Sequence, residues 1–215
     1  MTTIVGRGVR VEVAATYAAV GVAVTAISLA NPAMITAAAH GFLAGDAGFL
    51  TGINGMSNIE GQALRAGTTT ADTLQMQGVN SLLYPPYTNG ATLTKVLTWA
   101  LIAKATKYAI GGGASSPLDD TGLIDDIKQE IPGLLNAQTV TIDVNAQELN
   151  DQALQILEDA AFAQGFCVFR VTFKDGNVRI WRGQPSLPGE DVGKGALGTG
   201  TFTCTVKGKV LKAPA

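Results

Sequence analysis

Val9, Val11 and Val13 alternate with Arg10 and Glu12 near the start of the chain, the period-two pattern of a strand with one apolar and one polar face. Shorter runs of similar texture follow. Ala23 to Leu29 and Met34 to Ala38 flank Asn31-Pro32, which reads as a turn between strands, and His40-Gly41 with Gly45-Asp46 brackets a second turn before Ala47 to Leu50. Gly52, Asn54-Gly55 and Asn58 mark a loop. Beyond it Gln62 to Arg65 and Thr73 to Gln77 have the length of strands, and Tyr84-Pro85-Pro86-Tyr87 with Asn89-Gly90 closes the stretch. Residues 20–90 therefore read as a compact unit of small strands.

A different texture begins at Ala91. Thr92 to Ile102 is rich in β-formers, yet Trp99 to Tyr108 also spaces apolar residues at helical intervals, so the pattern leaves its type open. Gly111 to Ser116 reads as a flexible loop, and Asp119 to Glu130 mixes apolar residues with acids. Thr139 to Val144 alternates as a strand does. Leu149, Ala153, Ile156, Leu157 and Ala160 then recur at three- and four-residue spacing, which predicts a helix over Gln147 to Ala160, with Asn145 as N-cap, Glu148 completing a capping box and Gly165 as terminator. Phe166 to Phe173, the turn Lys174-Asp175-Gly176-Asn177 and Val178 to Trp181 read as a hairpin. A Gly/Pro-rich loop from Gly183 to Gly200 leads to a last strand, Thr201 to Val210.

Composition sharpens this picture. Only 15% of the 215 residues are charged, against the usual quarter, and 26 glycines with many threonines favour short strands and turns over a helical bundle. A net charge of -2 argues against a chain that grips nucleic acid through overall charge. The opening residues lack a basic region followed by an apolar core, so no signal peptide is expected. The longest apolar stretch, Val13 to Ala30, is diluted by Thr16, Gly21, Thr25 and Ser28 and stopped by Asn31-Pro32, so no membrane span is expected either. Cys167 and Cys204 both sit in strand-like apolar runs, which favours buried free thiols and a reducing compartment.

The parts of a catalytic centre are missing. His40 is the single histidine, which removes serine triads, paired-His acid/base chemistry and multi-His zinc sites, and its turn context points to a structural role. The cysteines lie far apart, and Gly111-Gly112-Gly113 fits neither a P-loop nor a dinucleotide fingerprint. Asp119, Asp120, Asp125 and Asp126 depart from the order of a calcium loop and read as a solvated acidic face, or as groups past which a polyanion moves without sticking. Arg170, Arg179 and Arg182 with Phe169 and Trp181 could form a base-stacking patch, but cross-strand neighbours on an outer face give the same pattern. No enzyme, metal or cofactor is expected.

Ile131-Pro132-Gly133-Leu134, the strand Thr139 to Val144, the helix, the run FRVTFKDGNVRIWRG from Phe169 to Gly183 and the closing Gly200 to Gly208 form an ordered series. Over residues 119–212, and more loosely 4–13, that series resembles the tail tube (major tail) proteins of long-tailed, lambda-like bacteriophages. The resemblance implies a mainly β fold, a β-sandwich or barrel with one flanking α-helix, formed by residues 1–19 and 91–215. It further implies homo-hexameric rings stacked into a tube that conducts double-stranded DNA without sequence-specific binding. Tail terminator, tape measure and tail tip proteins are the partners such a tube implies, with assembly in the host cytoplasm and a final place in the virion tail, away from any membrane. Residues 20–90 depart from that pattern. From Asn31-Pro32 to Asn89-Gly90 they resemble a small β-module that recurs in phage structural proteins, expected to be inserted into the tube fold and to lie on the ring's outer surface, so that its removal leaves assembly possible.

Two expectations concern sites. The acids Glu12, Asp125, Asp126, Glu130 and Asp143 are candidates for the lumen wall, where negative charge would keep DNA phosphates from sticking. Phe169, Phe173, Ile180 and Trp181 are candidates for a hairpin that serves core or assembly. The competing reading is a receptor- or carbohydrate-binding β-module of a virion tip or capsid surface.

Overall fold

The computed structural model describes residues 8–122, 126–145, 151–194 and 198–214. In chain order they form β1 (Arg10–Tyr17), β2 (Val22–Ala23), β3 (Ala26–Ile27), β4 (Met34–Thr36), β5 (Ala47–Thr51), β6 (Ala63–Thr69), β7 (Thr73–Met76), β8 (Thr92–Leu101), β9 (Ala105–Gly112), β10 (Ser115–Asp119), β11 (Glu130–Leu135), β12 (Gln138–Asn145), α1 (Gln152–Phe162), β13 (Cys167–Thr172), β14 (Val178–Pro185) and β15 (Thr199–Ala213). The fold is mostly β, with one helix among the described residues.

Most strands join one antiparallel sheet in the order β3-β4-β7-β6-β5-β8-β1-β13-β14-β15-β12-β9, with β2 beside β8. β8 is the shared strand. Its first half pairs with β5 (Leu50 opposite Leu93) and its second half with β1 (Val13 opposite Ala100). The run from β1 to β9 curls on itself. Ile102 N donates to Val11 O at 2.9 Å, so the short β8–β9 link brings β9 back toward β1 and nearly closes a barrel at that end. At the other end the two strands diverge.

Two cores result, one on each face of the central strands. Val13, Phe169, Val171, Trp181, Phe202 and Cys204 fill the barrel interior, where Phe169 stacks on Trp181 at 5.3 Å and on Phe202 at 6.5 Å. α1 packs there through Ala153, Leu154 and Leu157. The opposite core holds Ile35, Leu50, Met56, Leu74 and Leu93 from residues 20–90, together with Val168, Ile180 and Leu211. Neighbouring residues therefore serve different cores: Val168 and Phe169 on β13, Ile180 and Trp181 on β14. Residues 20–90 are not an appendage on the strength of this packing, because they cover one face of the barrel sheet and share β8 with it.

Several local expectations need correction. Trp99 to Tyr108 is strand and link, not helix, because Trp99 to Leu101 is held in a ladder with β1 and Ala105 to Tyr108 in a ladder with β12. Gly111 and Gly112 belong to β9, paired with Thr139 and Gln138, so the expected loop shrinks to Gly113-Ala114. The helix starts later than predicted. Asn145 is the last residue of β12, and Asp151 is the N-cap, its carboxylate accepting from Ala153 N at 2.9 Å. Glu148 lies outside the described residues. Gln164, not Gly165, takes the left-handed position after the helix (φ 51°).

Candidate assembly surfaces

The hairpin β9–β12 does not stop at the sheet. β9 and β12 pair as far as Gly112 opposite Gln138, and β10 and β11 continue outward as a separate two-stranded arm, with Leu118 opposite Ile131 and Asp119 opposite Glu130. Alternation puts the Leu118–Ile131 pair on one face and the Asp119–Glu130 pair on the other. Among the described residues the arm's aliphatic side chains stay open: Leu118, Ile131, Leu134 and Leu135 are 55%, 47%, 89% and 75% exposed. Four large aliphatic side chains on a thin two-stranded arm are far from the scattered single exposures normal for a surface. Its acids stay in water. Glu130 pairs with Lys128 at 2.5 Å, and Asp119 accepts from Thr121, which holds its carboxyl below the usual range.

The other expected lumen acids sit in different settings. Asp143 on β12 is partly exposed, lies 3.6 Å from Lys107 across the ladder and accepts from Thr201 Oγ1 at 2.8 Å. Asp126 is exposed beside the arm, and Asp125 lies outside the described residues. Glu12 is the exception. It does leave the barrel core, as its alternation with Val11 and Val13 requires, but its side chain is only 7% exposed. Arg170, its cross-strand neighbour, donates to Glu12 Oε2 through Nε at 2.9 Å and approaches it with Nη2 at 2.8 Å, while Arg10 Nη2 reaches Oε1 at 3.2 Å. Its charge is neutralised and not presented to solvent. Arg170 also stacks on Trp99 at 4.3 Å.

The expected arginine–aromatic patch is not one surface. Arg170 faces Ile180 and Arg179 faces Val171, so the two arginines lie on opposite faces of the sheet. Arg182 is wedged between Phe49 and Phe166, 4.4 and 4.8 Å from the ring centres. Phe169, Ile180 and Trp181 are fully buried core. Phe173 alone of the four hairpin candidates reaches the surface, beneath Arg179 at 5.4 Å.

Remaining chemistry is structural. His40 is buried, accepting from Phe42 N at Nδ1 (3.0 Å) and donating from Nε2 to Thr73 O (3.1 Å), which clamps two loops together. Cys167 and Cys204 are free and buried, and burial pushes their thiols up to about 11 and about 12. Among the described residues no group of three or more His, Cys, Asp or Glu is placed to hold a metal, and no helix is long and apolar enough to cross a membrane.

The family model described as phage tail tube protein, TTP, matches residues 54–211, nearly three quarters of the chain. The chain belongs to that family. The match takes in β6 to β14 and most of β15 but not β1, and it begins inside the segment 20–90, ahead of β6. No curated protein matches the chain. The sequence pattern missed the arm. Its only signals are the prolines facing each other, Pro117 opposite Pro132, and the adjacent Leu134-Leu135 in an otherwise polar stretch.

Proposed function

We propose that this chain is the structural subunit of a tail tube, closing into hexameric rings that stack around a lumen through which double-stranded DNA passes. The observation that carries the reading is the β10–β11 arm, whose aliphatic side chains stay exposed among the described residues. Two further features support it. β3 and β9 end the sheet with one ladder neighbour each among the described residues, and such edges are a liability unless another chain pairs with them. Closed symmetry among identical copies supplies that pairing without leaving a free end.

The charge distribution suits a wall that a polyanion passes. Asp126, Glu130 and Asp143 keep their carboxylates at the surface, whereas Glu12 adds no open negative charge. Residues 20–90, on the face of the sheet opposite the barrel core, are placed on the outside of the ring in this reading. Electron microscopy of the purified protein tests it: rings or hollow tubes of uniform diameter are expected. Discrete monomers or trimers at every protein concentration and salt condition would overturn it.

A further inference from the structure

His40 is the single histidine of the chain, and it is buried within residues 39–46, the segment that leads from β4 toward β5. Its two hydrogen bonds fix its protonation. The Phe42 backbone N–H can only donate, so Nδ1 at 3.0 Å must be bare. The Thr73 carbonyl can only accept, so Nε2 at 3.1 Å carries the proton. A second proton on Nδ1 would stand against the Phe42 N–H, donor against donor, and would place a charge on a buried ring.

The segment is poised to move. Ala39 takes φ 50° and Gly41 φ 65°, and for Ala39 this left-handed backbone is strained. Phe42 is buried, its ring seated against Gly48 of β5 and edge-on to His40 at 5.8 Å. We propose that His40 is an acid-released latch: while neutral it holds residues 39–46 closed over the core of residues 20–90, and on taking a second proton it lets the segment open and uncovers Phe42. This goes beyond the tube reading and does not depend on it. The proton count sets the sign. The open segment binds one proton more than the closed one, so opening is favoured as pH falls through the interval in which histidine changes charge, about pH 8 to about pH 5.

The charged groups around the segment do not supply a partner for an imidazolium. Asp72, in the turn between β6 and β7, accepts from Ala39 N at 3.0 Å. Asp46 accepts from Leu43 N at 2.7 Å and pairs with Lys95 of β8. Both carboxylates are engaged elsewhere, and the ring bonds only Phe42 N and Thr73 O. Lys95 Nζ donates to Gly41 O at 2.7 Å and lies 5.5 Å from the Phe42 ring, and Arg65 of β6 stands beside Gly45. These cations oppose a further positive charge.

Hydrogen exchange of the untagged full-length protein tests the latch, with protection corrected for the intrinsic effect of pH. Between about pH 8 and about pH 5 the protection of residues 41–46 is expected to fall at least tenfold, while that of β13 and β14 stays constant. With one histidine in the chain, ring signals in nitrogen-15 NMR report His40 directly. They should show the Nε2–H form at about pH 8 and a second proton gained together with the loss of protection. H40N removes the titration and leaves a side-chain oxygen for Phe42 N, so its protection, whatever its level, should be the same at both pH values. A fall of equal size in H40N would assign the effect to Asp46 or Asp72 and overturn the latch. A ring that takes its second proton while residues 41–46 stay protected would overturn it too, as would one that stays neutral at about pH 5.

Discussion

Glu12 offers a quantitative check on the ion pair that joins β1 to β13. Replacing it by Gln keeps the shape but removes the carboxylate that both Arg170 and Arg10 address. Breaking a buried pair from one side costs about 3–5 kcal/mol, because the remaining charge is left without compensation. Here the cost should fall lower in that range or just beneath it. Arg170 is 26% exposed, keeps its place over Trp99 and borders a cavity of about 360 Å³ that also holds Arg10 and Arg65. About 2–3 kcal/mol is the reasoned figure for E12Q, the screening of a partly exposed guanidinium being set against the loss of two charge-assisted hydrogen bonds.

With a urea slope of about 2–3 kcal/mol per molar, that loss lowers the unfolding midpoint by roughly 1 M. Fluorescence of Trp99 and Trp181 reports the transition, and unfolding below the assembly concentration keeps oligomerisation out of it. Arg10→Ala is the control, since Arg10 is 63% exposed and its loss should cost no more than about 0.5 kcal/mol. The double variant E12L/R170M should recover most of the stability, because apolar groups of similar size replace the whole pair. A midpoint shift for E12Q no larger than that of Arg10→Ala would refute the reasoning.

Three further outcomes are expected. Burial raises Tyr17 and Tyr108 to about 12, Cys167 to about 11 and Cys204 to about 12, so the unfolded chain releases these protons first. Stability should then be steady up to the ordinary thiol value of 9.0 and fall as pH rises toward 11–12, which urea midpoints across that range would show. Gly183→Ala would place a methyl 2.5 Å from Cys204 Sγ and 2.6 Å from Thr205 O, between β14 and β15, and should cost about 1–3 kcal/mol in the same assay. Deleting residues 20–90 with a short linker should give insoluble or molten protein, since Val168, Ile180 and Leu211 would lose their cover; a cooperatively folding product would refute this.

What the sequence made legible follows the burial. Strand β12 could be read because it presents one face consistently to a single core, and the hairpin at Lys174–Asn177 because its turn has its own chemistry: Asn177 N donates to Asp175 Oδ1, and Gly176 takes φ 82°. β13 and β14 were read as strands, but not as strands with a core on both sides, because Val168-Phe169 and Ile180-Trp181 are simply adjacent apolar residues until something covers each face. The start of α1 was misplaced because Asn145 and Asp151 are both acceptable caps, and only the β12–β15 ladder, which holds Asn145 opposite Thr199, decides between them. Glu12 was read as facing away from Val11 and Val13, and its ion pair could not be read, since Arg170 stands 158 residues further along the chain.

The arm marks a different limit. Periodicity in a sequence records which side of an element meets a core, and β10 and β11 meet none among the described residues. Their pattern of Ser, Pro, Asp and Leu is therefore free of the alternation that betrays a strand. The same holds for the seam between β1 and β9, which is lined by residues that a closed barrel would have made uniformly apolar and that here include Lys107, Arg179 and Lys212. Cations on the lips of an apolar cleft disfavour a closed seam, because closing it would take their charge out of water.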